Sequence, residues 1–397
     1  MSNVFTETTT TSWFSRMKNA LVGVLVGLML VPGSMVLLFW NESRAIRETY
    51  RLNEGESNVV EDVPIDSVQP DLEGKLVHVT GMVHALTPVM DPVFGLEQSG
   101  IKLKRSVQMY QWKEEEDTKR EKQLGGSEKR VTTYSYVKGW HDERVASEDF
   151  KQPESYVNPA LPYEEKIVTT EGAELGAFQF PERLLSSINN WKSIPLDDEW
   201  LGQQPEEFRE HALVLDNTVY FRPNGVPDKE VPEIGDIRME FKVVPDSDVT
   251  LVSAQHEDSF RAYPTKYGGL ELMNMGKLSA GEVFERAHTA NTFWTWGLRL
   301  AGFVVMGIAF CMIMKPLTTF AGVIPFLENL AGFAVFIIGF GLAGVLSAIT
   351  IAIAWIAVRP ILGISLLVVA GALIVGLYFF RSGQAQQAKD HHGVELM

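Results

Sequence analysis

Three long apolar runs in the last third of the sequence constrain its fold more than any other feature. They cover residues 297–314, about 330–358, and 361–380. A helix needs about 20 mostly apolar residues, at roughly 1.5 Å of rise each, to cross about 30 Å of hydrocarbon. These runs meet or approach that length, so the sequence predicts an integral membrane protein.

Charged residues and prolines separate the runs from one another. The separators are Lys315-Pro316, Glu328, Arg359-Pro360 and Arg381. Pro360 lacks a backbone donor and biases Arg359 away from the helical region, but it fits the first turn of a new helix. The last two runs are therefore predicted to form a tight antiparallel helical hairpin.

A fourth apolar run, residues 21–40, lies near the N-terminus. It is too long for the apolar core of a signal peptide and has no small-residue cleavage site after it, which predicts an uncleaved signal anchor. Pro32 is predicted to kink it. The Thr-rich residues 1–11 are predicted to be disordered, and Trp13-Phe14 with Arg16 and Lys18 to form an interfacial anchor.

The segment between the first and second spans is strongly acidic. Residues 41–293 hold 28 Lys and Arg against 46 Asp and Glu. Phosphate backbones would repel such a domain, so nucleic acid is excluded as a partner, and solubility explains the charge more simply than a basic partner does. The single cysteine, Cys311, falls within a predicted span, so no intramolecular disulfide can form.

Alternating apolar and polar positions predict a β-rich α+β domain in this acidic segment. The clearest strand is 237–243, and 75–83 and 212–221 alternate similarly. Segments 106–112 and 130–137 are predicted to pair across a charged loop, 113–129, that turns at Gly125-Gly126. Short helices are predicted over 180–188 and 206–211. Ser279 and Glu282 have the spacing of a capping box, which predicts a juxtamembrane helix.

The resulting organisation has four spans, one N-terminal and three C-terminal, around a large extracytoplasmic domain. The predicted segments are a cytoplasmic tail and anchor 1–19, span 20–40, β-rich domain 41–278, juxtamembrane helix 279–296, spans 297–314, 330–358 and 361–380, and cytoplasmic tail 381–397. The flanking Lys and Arg residues are divided between both sides, so the orientation follows from the signal anchor preceding a large translocated domain.

Small residues recur within the spans and predict close helix packing, within one chain or between chains. They are Gly23 and Gly27 in the first span and Gly339, Gly341, Ala343, Gly344, Ser347 and Ala348 in the third. A second group at the span ends is predicted to couple the domain to the membrane. It consists of Trp40, Asn41, Glu42, Arg44, Glu282, Phe284, Trp296, Arg299, Arg359 and Pro360.

The motifs of common catalytic and cofactor sites are missing from the sequence. It has no nucleophile elbow, P-loop or dinucleotide fingerprint, and none of its eight histidines has metal-ligand spacing. No catalytic, cofactor-binding or metal-ligating residue is therefore predicted. The polar residues inside the spans are Ser34, Ser347, Thr350 and Ser365, while Arg299 and Glu328 lie near span ends, where they are predicted to snorkel.

An ordered series of motifs over nearly the whole chain resembles the transmembrane protein 43 family, also called LUMA. The motifs are Phe39-Trp40-Asn41-Glu42-Ser43-Arg44-Ala45, Met109-Tyr110-Gln111-Trp112, Tyr134-Ser135-Tyr136 with Trp140, Asn158-Pro159, Gly235-Asp236-Ile237-Arg238, Glu282-Val283-Phe284, Thr295-Trp296-Gly297-Leu298-Arg299 and Arg359-Pro360. The resemblance implies four spans around an extracytoplasmic domain, self-association, and in animals a role in organising the nuclear envelope.

The sequence therefore favours a non-enzymatic membrane scaffold that self-associates and presents its acidic domain to protein partners still unknown. An oligomeric channel or transport accessory subunit is the alternative, and a membrane-bound hydrolase is a third. A conduction path would depend on Ser347 and Thr350, whereas a scaffold would tolerate apolar replacements of equal volume. Membrane lipids are predicted partners. A bacterial inner membrane is the favoured location, and the endoplasmic reticulum or inner nuclear membrane applies to a eukaryotic member.

Overall fold

The computed structural model describes residues 4–358 and contains seven α-helices in that range. They are α1 (Trp13–Asn58), α2 (Glu182–Leu185), α3 (Asp198–Gly202), α4 (Glu206–Arg209), α5 (Ala280–Ile313), α6 (Lys315–Ala321) and α7 (Pro325–Val358). Three of them, α1, α5 and α7, are long and apolar enough to cross a membrane.

Eighteen strands lie in the same part of the chain. They are β1 (Val4–Thr11), β2 (Leu76–Ala85), β3 (Val89–Met90), β4 (Glu97–Gln98), β5 (Lys102–Lys122), β6 (Glu128–His141), β7 (Lys166–Thr169), β8 (Ala173–Leu175), β9 (Phe178–Gln179), β10 (Lys192–Ser193), β11 (Ala212–Leu215), β12 (Thr218–Phe221), β13 (Ile237–Val244), β14 (Ser247–His256), β15 (Ser259–Arg261), β16 (Tyr263–Thr265), β17 (Gly268–Leu270) and β18 (Leu272–Met275).

The chain divides into two compact units. Among the described residues, unit 1 comprises 4–10, 51–121 and 128–288, and unit 2 comprises 11–50, 122–127 and 289–358. Unit 1 contains two main sheets. One has the order β1-β6-β5-β13-β12-β11, with β7 on β5 and β10 on β13, and the other has the order β15-β14-β2-β8-β9, with β18 on β14.

The two sheets bury separate apolar clusters because side chains alternate across each strand. In β13, Ile237, Met239 and Phe241 are buried, while the charged residues between them are only partly buried. This confirms the predicted strand at 237–243. The strand predicted at 75–83 is also present, as β2, and its Val77 and Val79 belong to the core of the six-stranded sheet.

Two strand predictions are wrong in detail. Residues 212–221 form a hairpin of β11 and β12 rather than one strand, because Asp216 and Asn217 have φ of 52° and 62° and reverse the chain. Asp and Asn tolerate this left-handed conformation better than most residues do. Residues 113–129, predicted as a charged loop, instead continue β5 and β6 to a short turn. The predicted turn residues, Gly125 and Gly126, lie in it and have positive φ.

The prediction that the Thr-rich residues 1–11 are disordered is wrong for residues 4–11. Val4–Thr11 forms β1, which lies beside β6 in the larger sheet. Phe5 contacts Tyr134 at a ring separation of 6.1 Å, and Glu7 pairs with Lys151 at 3.2 Å. Backbone pairing along an open sheet edge satisfies a polar, Thr-rich segment that has no apolar face of its own.

Helix α5 begins at the predicted capping box. The Ser279 amide donates to Glu282 at 2.8 Å, and the Glu282 amide donates to the Ser279 hydroxyl at 3.3 Å. The juxtamembrane helix and the second span, predicted as 279–296 and 297–314, form this one helix. In unit 1, Val283 and Phe284 pack with Leu52 in a buried cluster.

The count of four spans is confirmed only in part. The first predicted span lies within α1, which continues as helix through Pro32, and the third lies within α7. The fourth, residues 361–380, lies outside the described residues, as do Arg359 and Pro360.

The predicted short helices at 180–188 and 206–211 are present as α2 and α4.

A buried ion pair in unit 1 gives a test of the larger sheet's core. The Arg105 guanidinium donates to both oxygens of Asp91, at 2.7 and 2.8 Å, and both side chains are almost fully buried. We expect Arg105→Leu to lower the free energy of unfolding by about 3–5 kcal/mol, because it leaves the Asp91 carboxylate buried without its counter-ion.

Lys229→Leu is the matched control, since Lys229 pairs with Asp216 on the exposed surface. The control should change stability by less than about 1 kcal/mol. Urea denaturation of the purified protein, followed by tryptophan fluorescence, measures both effects. Equal changes in the two variants would contradict this account of the core.

Candidate functional site

An ion pair joins all three long apolar helices in unit 2. The Nε and Nη2 atoms of Arg299, on α5, donate to Oε1 and Oε2 of Glu42, on α1, at 2.6 and 2.8 Å. The indole Nε1 of Trp355, on α7, donates to the same Oε2 at 2.7 Å. Glu42 is only 2% exposed, so both carboxylate oxygens are occupied by donors from other helices.

Two tryptophan rings enclose the Arg299 guanidinium. Its central carbon lies 4.7 Å from the Trp296 ring centroid and 6.0 Å from that of Trp355. A guanidinium is weakly hydrated and planar, so it stacks on aromatic faces while its edge donates to a carboxylate. The arrangement pairs the two charges directly with each other.

A second set of polar contacts extends the site along α1 and α5. The Asn41 amide donates to the Thr295 carbonyl at 3.0 Å, and the Asn291 amide donates to the Ala45 carbonyl at 3.0 Å. The Arg44 guanidinium donates to the side chains of Asn291 and Thr295, each at 3.2 Å, and of Asn41 at 3.3 Å. These contacts cross-link the two helices.

Helix periodicity explains why these residues meet. Asn291, Thr295 and Arg299 recur every four residues and so share one face of α5. On α1, Asn41 and Ala45 have the same spacing. The two helices run antiparallel, since Gly27 lies against the Ala309 carbonyl at one end while Glu42 meets Arg299 at the other.

The network borders a cavity of about 210 Å³ in unit 2. Its lining includes the charged pair, the two tryptophans, and the hydroxyl-bearing Thr49 and Thr292. The Arg44 Nε is buried without a hydrogen-bond partner among the described residues. Both carboxylate oxygens of Glu42 accept hydrogen bonds from other helices, so the central pair holds helices together rather than presenting a free carboxylate.

The structure brings together five of the predicted coupling residues, namely Asn41, Glu42, Arg44, Trp296 and Arg299. Trp40 is exposed on another face of α1, while Glu282 caps α5 and Phe284 lies in the core of unit 1. Sequence reasoning missed Asn291 and Thr295 as members of the site. Their spacing of four from each other and from Arg299 was the available signal.

Arg299 and Glu328, which were predicted to snorkel, each have an ion-pair partner on another helix. Arg299 pairs with Glu42, and Glu328, at the start of α7, is buried and paired with Arg16 of α1 at 2.5 Å. Lys122 also lies 3.2 Å from Glu328. The opposite charge of a neighbouring helix or turn therefore replaces the solvent that a snorkelling side chain would seek.

The turn between β5 and β6 takes part in this second cluster. The Arg16 guanidinium donates to the Gly126 carbonyl at 2.7 Å, and the Gly125 amide donates to the Val323 carbonyl at 3.1 Å. Trp13 Nε1 donates to the Thr319 carbonyl at 3.0 Å. The cluster thus ties the start of α1 and the region of α6 and α7 to the turn.

The small residues predicted to pack are distributed over two faces. Gly27 and Gly339 lie against α5, where an added Cβ would come within 2.7 Å of the Ala309 carbonyl and 3.0 Å of Cys311 Sγ respectively. Ala343 and Ser347 are buried on the same face of α7 as Gly339. Gly23 has only Met312 nearby, Gly344 has only Phe303, and Ala348 is exposed.

Between residues 4 and 358, no group of three or more His, Cys, Asp or Glu side chains converges as a metal-ligand set. The two clusters in unit 2 are ion pairs and hydrogen bonds between helices. They define an integral membrane protein whose apolar helices are held in register by buried charge.

Comparison with known proteins identifies the family. The family profile for Transmembrane protein 43 matches residues 109–360. The chain is similar to the human Transmembrane protein 43, with 31% identity over 382 residues that cover 93% of this chain and 92% of the human protein. It is 32% identical to the mouse protein over 88% of each chain, and 28% identical to the fruit-fly Transmembrane protein 43 homolog over 88% of this chain and 92% of that one.

The chain therefore belongs to the transmembrane protein 43 family, as the motifs predicted. No solved structure matches it. The network side chains on α1, Asn41, Glu42 and Arg44, lie outside the matched range 109–360, whereas Trp296, Arg299 and Trp355 lie within it.

The ion pair at the centre of the site can be tested by a double-mutant cycle. Glu42→Leu should lower the stability of the detergent-solubilised protein by about 3–5 kcal/mol, because the Arg299 charge stays buried without a partner. Replacing both residues, with Glu42→Leu and Arg299→Met, should recover most of this loss, since the two charges then disappear together.

Thermal unfolding in one detergent, followed by near-ultraviolet circular dichroism, compares the single and double variants. Glu56→Leu, at an exposed position of the same helix outside the ion pair, is the control and should change stability little. A double variant whose loss equals the sum of the two single losses would show that the charges do not act as a pair.

Proposed function

We propose that this protein is a non-enzymatic integral membrane scaffold, which self-associates through α7 and presents its acidic domain to partners. The observation that carries the proposal is that both carboxylate oxygens of Glu42 accept hydrogen bonds from other helices, Oε1 from Arg299 and Oε2 from Arg299 and Trp355. A buried carboxylate bonded in this way supports a role in holding the helices together.

An exposed stripe of small residues on α7 supports self-association. Gly341 and Ala348 are exposed, and Gly344, between them, has only the Phe303 ring within 4 Å of an added Cβ, at 3.9 Å. Their spacing of three and four places them on one helix face. Small residues let two membrane helices approach closely enough to gain van der Waals contact.

The acidic domain supports a role in presenting a surface to other molecules. Residues 41–293 carry most of the acidic residues of a chain whose formal net charge is −15. Such a surface keeps the domain soluble and favours basic partners over nucleic acid. For the compartment we propose a bacterial inner membrane.

A buried charge pair in apolar helices is the observation that favours the second candidate, an oligomeric channel or transport accessory subunit, because such pairs mark many transport pathways. The hydroxyls expected to line a path are nevertheless occupied. Thr350 donates to the Leu346 carbonyl at 2.8 Å, and Ser347 contacts Met306 Sδ at 3.5 Å. Because both hydroxyls already have partners within the chain, they support the scaffold rather than a conduction path.

The scaffold proposal is tested by the mass of the extracted protein. We expect wild-type protein in nanodiscs to be a defined oligomer and Gly344→Leu to dissociate it, since a leucine side chain would separate the two α7 backbones. Light scattering, with the contribution of detergent or lipid subtracted, gives the mass of each.

Gly332→Leu is the matched control, because Gly332 also lies on α7 with nothing within 4 Å of an added Cβ, but about 120° from Gly344 around the helix. The control should leave the mass unchanged. A monomer in both wild type and Gly344→Leu would refute self-association and would direct attention to the acidic domain as a one-to-one binding module.

A further inference from the structure

A groove between α1 and α7 in unit 2 is apolar along most of its length and cationic at one end. Its volume is about 460 Å³, and its lining is Met35, Val36, Phe39, Trp40, Ser43, Arg47, Thr350 and Ile353. It differs from the cavity beside Glu42 in both lining and character. The polar network described above does not use Arg47 or any other residue of this groove.

The stripe that α1 contributes changes from apolar to polar in a regular order. Val36, Trp40, Ser43 and Arg47 follow one another at spacings of four, three and four, so they share one face. Along that face an exposed aliphatic residue is followed by an indole, a hydroxyl and a guanidinium. Arg47 lies about 16 Å beyond Val36 along the helix axis, at about 1.5 Å per residue.

The apolar wall of the groove is open in the described chain. Val36 is 68% exposed and Ile353 on the facing helix is 52% exposed. Thr350, at the base of the groove, donates its hydroxyl to its own helix and so presents its methyl group. An open wall of aliphatic side chains between two apolar helices fits a hydrocarbon chain.

The cationic end of the groove has no ion-pair partner among the described residues. Arg47 is exposed, and its Nε donates to the Ser43 carbonyl at 3.3 Å. Among residues 4–358, neither of its terminal nitrogens has a hydrogen-bonding or ionic partner. A guanidinium with two free N–H edges is suited to bidentate binding of a phosphate.

From this arrangement we infer that the groove binds an anionic phospholipid, with an acyl chain against Val36 and Ile353 and the phosphate on Arg47. Trp40, between the two ends, lies where an amphipathic ring favours the membrane interface. Along the groove, an aliphatic side chain is followed by an indole, a hydroxyl and a guanidinium. A phospholipid in a leaflet has the matching order: acyl chain, interfacial region, glycerol and phosphate.

The apolar run at 361–380 is the competing occupant, since it follows α7 after two residues. It contains no Asp or Glu, so it supplies no partner for Arg47. Charge complementarity therefore favours the phospholipid. The cross-linking of Val36 to this run distinguishes the two occupants.

The full-length protein is reconstituted in nanodiscs of phosphatidylcholine and phosphatidylglycerol, extracted in mild detergent, and analysed for retained phosphatidylglycerol by mass spectrometry. Arg47→Gln should reduce retention about five- to tenfold, the effect of one cationic contact with an anionic headgroup. Arg47→Lys keeps the charge but loses the bidentate geometry, so its retention should fall between those of the wild type and the glutamine variant. This order of retention supports the site.

The apolar wall is tested separately by filling it. Val36→Trp should displace the lipid, whereas Met29→Trp, at another exposed position of α1 outside the groove, should not. Both positions are exposed, so neither variant disturbs the helix packing. Unchanged retention in both Arg47→Gln and Val36→Trp would overturn the proposal.

A cross-linking experiment distinguishes the competing occupant. In a Cys311→Ala background, cysteines replace Val36 and Ser365, and a bifunctional thiol reagent is added to the nanodisc preparation. No intramolecular cross-link is expected when phosphatidylglycerol occupies the groove. Efficient cross-linking would show that the last apolar run fills the groove and would overturn the lipid assignment.

Discussion

The contact between Glu42 and Arg299 sets the arrangement on which the helices of unit 2 depend. A carboxylate buried among apolar helices is stable only with its charge balanced and its oxygens bonded. Arg299 and Trp355 meet this requirement together, and each comes from a different helix. A rotation of any one helix by a single residue would separate the partners, so the pair selects one register from many that apolar packing alone would allow.

Apolar packing supplies contact area but little selectivity, because lipid is as apolar as the helices. Close approach at glycines adds shape to the interface. The Phe340 ring occupies the space that a Cβ at Gly307 would need, and Leu38 does the same at Gly302. These contacts and the charged pair act together, since the helices must come close before a carboxylate and a guanidinium can bond directly.

Local patterns carried most of the information that was predictable from the sequence. Strict alternation identified β13 and β2, and the spacing of Ser279 and Glu282 identified the start of α5, because these signals depend on neighbours in the chain. The β5 and β6 extensions were missed since their outer residues are exposed and show no apolar face. Backbone pairing with the opposite strand, a nonlocal interaction, determines their structure.

The partners within the polar network were likewise not predictable from local sequence patterns. The sequence placed Asn41, Glu42, Arg44, Trp296 and Arg299 near the ends of spans, but their partners depend on which helix faces which. Trp355 is 313 residues from Glu42 in the chain, and a pattern on α7 alone gives no reason to pair them. A charged residue in an apolar helix predicts that a partner exists but does not identify which residue the partner is.

The turn at residues 122–127 links the N-terminal ends of two apolar helices in unit 2. Its Gly126 carbonyl accepts from Arg16 near the start of α1, and Lys122 lies 3.2 Å from Glu328 near the start of α7. Arg16 also pairs with Glu328, so both helix ends and the turn share one buried carboxylate. A carboxylate with two cationic partners keeps a counter-ion when either cation is lost, whereas its own loss leaves two cations facing each other, so the integrity of this corner of unit 2 rests on Glu328 more than on either partner.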